Sequence, residues 1–478
     1  MAKNTLIWFR RDLRTRDHAA LSSALQSGDA VNALYVPEAP AYGQRMPGGA
    51  SRWWLHHSLA ALGDSLKSLN IDLTLRQGDP SAAVVALAEE AGAARVVCSR
   101  VYEPAERQVE ESVAAALART GRTLEVFEGS LLQPPGAVLN KEGDPYRVFT
   151  PYWKAWRTAV PPSPLPRPKP AAAQAKTPAG ERLEDLRLLP TAPDWAAGLR
   201  ATWQPGEAGA QAELRRFIDT VLGDYEHARN IPGRAGTSRL SAHLHFGEIS
   251  PSQIWHSVHA AAELQGSGKA VDDAWAFIRE LCWRDFNHDL LARYPDIAER
   301  NIDTRFDQFP WEENPEALAA WQQGRTGYPI VDAGMRELWT TGWMHNRVRM
   351  IVASFLIKHL LIHWRHGEAW FWDTLVDADL ANNAANWQWV AGSGVDAAPY
   401  FRIFNPILQG ERFDPKGDYV RKWLPERGDV PIRDIHKPNV VAATLFEDAY
   451  PDAIVEHKAA RRRALDAFGQ IKAEAASA

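Results

Sequence analysis

Cysteine is scarce: Cys98 and Cys282 are the only two in 478 residues. They offer no disulfide framework and no zinc spacing, and they suit a reducing, cytoplasmic setting. Long hydrophobic runs are also missing. The most apolar stretch, Met350 to Trp364, is interrupted by Lys358, His359 and His363, so it reads as a buried helix and not a membrane span. The N-terminus reaches Arg10 and Arg11 without an apolar run, so no signal peptide is expected. A formal net charge of -5 excludes a global basic field and leaves room only for a local basic groove. No GxGxxG follows the first apolar run and no Walker A motif occurs, which argues against the usual nicotinamide dinucleotide and NTP sites. His359 and His363 stand at i, i+4 with no third ligand at useful spacing and no intervening Glu. They read as satisfied helix histidines, and no metal is expected.

What is present in excess is tryptophan: 20 residues, 13 of them after position 250. Such crowding fits a large helical core, stacking sites or an electron relay. The most telling stretch is Asp377-Ala378-Asp379-Leu-Ala-Asn-Asn383-Ala-Ala-Asn-Trp387-Gln-Trp389, which contains no Lys or Arg. If helical, it places Asp379, Asn383 and Trp387 on one stripe. An acceptor, an amide and a large π-system on one stripe suit a flat ring with polar edges, such as a flavin. The plain alternative is a capped loop with hydrogen-bonded amides.

Short β-branched runs at Thr5–Phe9, Val31–Val36, Asp72–Leu75, Arg95–Cys98 and Leu124–Phe127 alternate with amphipathic stretches such as Ser51–Leu69 and Pro104–Leu117. That is the pattern of a doubly wound α/β domain with a parallel sheet over residues 1–130. Residues 161–170 carry six prolines in ten positions, which excludes a helix or a central strand. Residues 131–205 therefore read as an inter-domain connection. Residues 206–478 read as all-α, with helical spacing at Glu213–Leu222, Ser252–Leu264, Val271–Tyr294, Ala317–Gln323, Ile330–Thr340, Asn346–Trp364, Glu368–Leu375 and Ala459–Ala475.

Four further segments carry candidate chemistry. Gly236-Thr237-Ser238-Arg239-Leu240-Ser241-Ala242 brings hydroxyls and an Arg to a predicted helix start, which suits a pyrophosphate or an ordinary N-cap. Glu280, Trp283 and Arg284 share a helix face, as does many a surface ion pair. Trp343-Met-His345-Asn346-Arg347-Val-Arg349-Met350 gathers polar side chains at a helix start. Asp396–Pro406 interleaves Tyr400, Phe401 and Phe404 with Arg402 and Asn405, as a nucleic-acid loop or an ordinary packed loop would.

In order along nearly the whole chain, these segments resemble the photolyase/cryptochrome family, and most closely the class I cyclobutane pyrimidine dimer DNA photolyases. The resemblance runs through Leu6–Arg14, Gly236–Ser241, Trp283–Phe286, Gly327–Ala333, Thr341–Arg347, Asp377–Trp389 and Asp396–Pro406. It implies an N-terminal α/β domain and a helical domain that binds FAD. Tyr225, Thr237, Ser238, Arg239, Leu240 and Ser241 would line its phosphates and ribityl chain. Arg284, Asn346, Arg349, Asp377, Ala378 and Asp379 would contact or support the flavin, and Asn383 would face its N5. The implied reaction is light-driven: reduced, anionic FAD passes one electron to a thymine dimer flipped from UV-damaged DNA, and the cyclobutane ring splits. Glu280, Trp283, Asn346, Arg347, Met350 and Trp389 would surround the dimer. Arg229, Arg347, Arg402 and Gln409 would touch the DNA backbone. Trp387, Trp364 and Trp311 match the family's chain of tryptophans that re-reduces the flavin.

The resemblance thins at the antenna chromophore. Glu106 matches a folate-binding Glu, but Ala105 replaces the expected Asn and Glu299 stands where a Lys is expected. Folate, a deazaflavin, a second flavin and an empty site all remain open. A cryptochrome would share the fold and FAD without repair. Met350 and the Trp-Gln-Trp pattern favour dimer repair over (6-4) repair. The protein is expected to act as a monomer, without a membrane.

Overall fold

The structure, a computed structural model, describes residues 4–27, 30–38, 40, 43–440 and 450–477. Two compact units divide the chain. The first comprises Met1–Tyr146, Thr150–Gly223 and Ser238–Pro295; the second comprises Arg147–Phe149, Asp224–Thr237 and Asp296–Ala478.

In the first unit, β1 (Asn4–Phe9), β2 (Ala30–Tyr35), β3 (Leu73–Leu75), β4 (Ala93–Ser99) and β5 (Thr123–Phe127) form a sheet of order β3-β2-β1-β4-β5. Every neighbouring pair is parallel. The connections carry α1 (Ala19–Gln26), α2 (Gly49–Lys67), α3 (Pro80–Glu90) and α4 (Pro104–Arg119). The chain steps from β1 outward to β2 and β3, then returns to the other side of β1 for β4 and β5. Right-handed crossovers therefore put α1 and α2 on one face and α3 and α4 on the other. Leu6, Trp8, Leu34, Val96 and Cys98 of the sheet pack with Val84, Leu87, Val109 and Val113 of α3 and α4. This is the doubly wound α/β domain that the alternating pattern predicts.

The proline-rich segment has neither helix nor strand over residues 161–170. It lies along the first unit: His256 Nε2 is 3.1 and 3.0 Å from the carbonyl oxygens of Pro161 and Pro162. The Leu165 N–H donates to Asp17 at 2.8 Å. External partners of this kind suit an extended chain with no hydrogen bonds of its own.

The second unit is built on helices Pro329–Thr341, Asn346–Lys358, Trp364–Thr374 and Leu380–Ala391. Their apolar faces form one core that includes Met335, Leu338, Val348, Val352, Phe355, Trp364, Phe371 and Trp387. Two glycines set how closely the helices approach. A Cβ on Gly334 would sit 2.4 Å from the Val348 side chain, and one on Gly367 would sit 2.1 Å from the Trp387 ring.

One predicted helix is two. The spacing predicts a single helix over Asn346–Trp364, but the first ends at Lys358 and the next begins at Trp364. Between them Leu361 takes the left-handed conformation, φ 52°. That conformation is strained for a side-chain-bearing residue, and apolar periodicity carries no trace of it. His359 thus becomes a C-cap and His363 an N-cap, so they share no helix face. His359 Nε2 instead lies 2.9 Å from His457 Nδ1. Among the described residues, no helix is long and apolar enough to cross a membrane.

Candidate functional site

The stretch 377–389 begins with a turn and then becomes helix Leu380–Ala391. Asp379 is its N-cap; one carboxylate oxygen accepts from the Asn382 N–H at 2.8 Å and from the Asn382 side-chain amide at 2.7 Å. Asp379, Asn383 and Trp387 are all buried, so the predicted stripe faces inward.

Each member of the stripe is held by a neighbour. The Asn383 side-chain nitrogen donates to the Glu368 backbone carbonyl at 3.0 Å and to the Glu368 carboxylate at 2.8 Å. Both partners can only accept, which fixes the amide nitrogen toward Glu368 and turns the amide oxygen away from it. Asp377 receives both of its contacts from Arg349, whose Nη2 lies 3.0 and 2.9 Å from the two carboxylate oxygens. Arg349 Nε also donates to the Met344 carbonyl at 2.8 Å, so the guanidinium is fixed twice. Ala378 is buried between the two carboxylate positions. Trp387 packs edge-on against Phe371, with ring centroids 5.0 Å apart, over the space left by Gly367.

The segment 343–350 is organised by His345, the N-cap of helix Asn346–Lys358. Its Nδ1 accepts the Arg347 N–H at 3.1 Å. Burial first, then the nearby Arg347, Arg349 and Arg229, push its pKa down to about 3, so the ring stays neutral and can accept. Arg347 is held in place by Asn230 Oδ1 at 2.7 Å, by Met350 Sδ at 3.8 Å and by the Phe413 ring at 4.5 Å. Asn346 is exposed, and Arg347 and Met350 are half-buried, as is Trp389. Arg229 lies over the Tyr225 ring. Arg402 is exposed and Gln409 half-buried on helix Pro406–Phe413.

Trp364 is fully buried, and its indole N–H donates to Asn301 Oδ1 at 2.8 Å. Trp311 is half-buried and packs on Phe309 with centroids 4.4 Å apart. All of these groups except Glu280, Trp283, Arg284, Glu106 and the segment 238–241 belong to the second unit.

In the first unit, Glu280, Trp283 and Arg284 lie on helix Gly268–Arg293. Arg284 donates to the Ser130 carbonyl, and Trp283 meets Phe286 edge-on at 5.8 Å. The predicted hydroxyl N-cap in segment 236–242 does not form. Helix Ser241–His245 has only five residues, Leu240 is its N-cap, and no side chain caps it. Arg239, with φ 57°, turns the chain away from a longer helix entry. Its guanidinium stacks 4.1 Å above the Trp203 ring. Thr237 and Ser238 precede this bend, and Gly236 is needed because a Cβ there would meet the Ala228 carbonyl oxygen at 2.4 Å.

Glu106 is buried on α4 and held by Arg10 and by the Gln44 side-chain amide. Burial would raise its pKa, but Arg10 and Arg11 outweigh that and hold it below the usual carboxylate range. Its carboxylate is thus committed to internal partners.

Comparison with known proteins adds to this geometry. Residues 5–171 match the family described as DNA photolyase, and residues 277–470 match the FAD binding domain of DNA photolyase. The deoxyribodipyrimidine photo-lyase of Agrobacterium fabrum is 47% identical over 475 residues, covering 98% of each chain. The chain belongs to the photolyase/cryptochrome family. A crystal structure described as a bacterial class III photolyase from Agrobacterium tumefaciens superposes with a TM-score of 0.94 at 46% identity, covering 99% of this chain and 98% of that one. Cryptochrome-2 of Arabidopsis thaliana is 38% identical over 92% of this chain and 73% of its own length. The photolyase fold, with a parallel five-stranded α/β domain and a helical FAD-binding domain, is therefore that of this chain, and the chain is an enzyme of the photo-lyase type.

The donor set of the helical domain fits a flavin. It offers a fixed amide acceptor at Asn383, an Arg349–Asp377 pair, the capping carboxylate of Asp379 and a buried indole at Trp387. Sequence reading missed Glu368 and Gly367, which hold Asn383 and make room for Trp387, and Asn230 and Asn301, which hold Arg347 and Trp364. A usable signal exists for Glu368 alone, as the one acidic residue on the buried side of the aromatic helix Trp364–Thr374. Asn230 and Asn301 lie far along the chain from Arg347 and Trp364, and no spacing rule connects them.

Proposed function

We propose that this photolyase repairs cyclobutane pyrimidine dimers in UV-damaged DNA under blue light, with reduced FAD as cofactor. The observation that carries the reading is the Glu368–Asn383–Trp387 arrangement: an amide oriented by a buried carboxylate, on the same helix as a buried indole and a half-buried one, Trp389. FAD, when bound, supplies light absorption and one-electron chemistry. Asp377, Ala378, Asp379, Asn383, Arg349, Tyr225 and Thr237 hold it in the second unit.

Asn383 presents its oxygen, so it accepts from a ligand N–H and favours a protonated ring edge. The Arg349–Asp377 pair gives a polar edge without a net charge. Trp387, Trp364 and Trp311 carry electrons inward from the surface. Asn346, Arg347, Met350 and Trp389 bind the lesion: the indole gives a flat wall, and the polar groups hydrogen-bond thymine edges. Arg229, Arg347, Arg402 and Gln409 contact the DNA backbone, so binding weakens with salt. Similarity to the 46% identical structure favours class III over the class I grouping expected from the sequence. Cys98 and Cys282 are both free and buried, in keeping with a protein acting in the reducing cytoplasm.

The test is illumination of the reduced protein with a defined thymine-dimer oligonucleotide. Restoration of the two thymines supports the reading. An unrepaired dimer, with flavin photoreduction intact, would make the protein a cryptochrome-type photoreceptor. A (6-4) substrate should remain unrepaired. The absorption spectrum of pigment released from the purified protein identifies any second chromophore as folate, deazaflavin or flavin.

A further inference from the structure

A histidine stands against the two outer members of the proposed tryptophan chain. His363 touches both: its ring centroid is 4.8 Å from that of Trp311 and 5.5 Å from that of Trp364. The inner step, from Trp387 to Trp364, lies within the buried core, whereas the outer step crosses a half-buried region that the imidazole occupies.

We propose that His363 is a positioning and bridging residue for electron entry, holding Trp311 against the buried end of the chain and supplying the ring through which the two indoles are coupled. This rests on the tryptophan-chain part of the function proposed above.

Three observations support the role. First, His363 is oriented from the backbone. As N-cap of helix Trp364–Thr374, its Nδ1 accepts the Arg365 N–H at 3.1 Å, which leaves the neutral ring's proton on Nε2. Second, the ring is neutral at working pH. Burial first, then Arg365 and His366, push its pKa down to about 4, against a smaller opposing effect of Asp307. A neutral ring adds no repulsion beside an indole that has lost an electron. Third, neither indole N–H faces a base. That of Trp364 donates to the Asn301 amide oxygen at 2.8 Å, and that of Trp311 to the Phe306 carbonyl at 3.4 Å. Buried Trp364, once oxidised, therefore keeps its proton while the electron moves. One electron passes from Trp311 to oxidised Trp364 with no bond formed or broken, and an external thiolate, oxidised to its thiyl radical, then returns one electron to Trp311.

His363 has two separable jobs, cap and ring, and two substitutions divide them. His363→Asn keeps a capping oxygen and removes the ring. His363→Phe keeps a ring and removes the cap. The full-length, flavin-loaded protein is illuminated anaerobically with a thiol reductant, alongside Trp311→Phe. His363→Asn is expected to slow photoreduction to the level of Trp311→Phe, while His363→Phe stays near wild type despite a lower melting temperature. Before illumination, the Trp311 indole N–H resonance should shift in His363→Asn, because the imidazole ring current is gone. Wild-type photoreduction in His363→Asn, with Trp311→Phe slow, would overturn the bridge alone. So would an unshifted Trp311 resonance, or a His363→Phe as slow as His363→Asn. Wild-type photoreduction in Trp311→Phe would overturn the tryptophan chain itself, and the bridge with it.

Discussion

Two buried glutamates behave in opposite ways. Glu106, on α4 of the α/β domain, meets the Arg10 guanidinium and a Gln44 amide. Glu368, in the helical domain, meets the Asn383 amide. The first pairing neutralises a charge with a charge, and both partners are used up in the process. The second sets the orientation of a neutral group and so decides which atom that group presents elsewhere. Burial alone therefore does not mark a functional carboxylate; the charge of its partner distinguishes closure from presentation. Substitutions near Asn383 should accordingly disturb flavin chemistry more than stability, and substitutions near Arg10 should do the reverse.

The largest effect belongs on the helical side. Trp387→Phe should nearly abolish photoreduction, measured as bleaching of oxidised flavin under blue light, while chemically reduced enzyme still repairs dimers. Phe fills most of the space over Gly367, so the melting temperature should change little. A large loss of stability with photoreduction intact would reverse the comparison. Next in size, Glu106→Gln should cost roughly 3 kcal/mol in urea unfolding, because it leaves the buried Arg10 without its closest counter-charge. Dimer repair should be unaffected. If Glu106→Gln instead lowers light harvesting without destabilising, the carboxylate is a ligand group and the contrast with Glu368 fails.

How far the sequence allows this distinction depends on whether the signal is local. The five strands were legible because β1 and its neighbours are short, β-branched runs, and each forms within two residues of the expected bounds. The stripe Asp379–Asn383–Trp387 was legible because helical spacing alone sets it. The break at Leu361 was not, since a left-handed residue in an apolar run is imposed by packing and leaves no periodic mark. Nor was the short start at Ser241, where Arg239 occupies a conformation that favours glycine. Glu368, Asn230 and Asn301 act across distances in sequence that periodicity does not reach. The groups proposed to do the chemistry were thus readable, and the groups that aim them largely were not.

Titration gives the next test, smaller in size. In the helical unit, burial and then His457 lower the His359 pKa to about 3 from 6.5. The unfolded chain therefore binds the extra proton first, and stability is lost as pH falls from 6.5 toward 3, by roughly 2 kcal/mol between pH 7 and pH 5. In the α/β unit, Asp285 accepts from the Gln133 N–H at 2.8 Å and the Trp156 indole at 2.9 Å. Burial raises its pKa to about 6 from 3.8, despite those contacts. Here the folded state binds the proton first, so stability is gained as pH falls from 6 to 3.8. Urea midpoints across pH 4–7 should show that His359→Phe flattens an acid loss and Asp285→Asn removes an acid gain. Slopes of the same sign would refute the assignment.

The smallest expected effect is the most discriminating, because Asp379 has one job already visible and one proposed. Its carboxylate caps helix Leu380–Ala391 through the Asn382 N–H. Removing such a cap with Asp379→Ala should cost about 1 kcal/mol. Asp379→Asn keeps an oxygen that can cap, so its stability should return to near wild type. Flavin retention after gel filtration then separates the two roles. If the negative charge matters to the flavin, Asp379→Asn loses cofactor while the helix stays intact. If capping alone matters, Asp379→Asn keeps its flavin, and Asp379 joins Glu106 among the carboxylates whose work is internal.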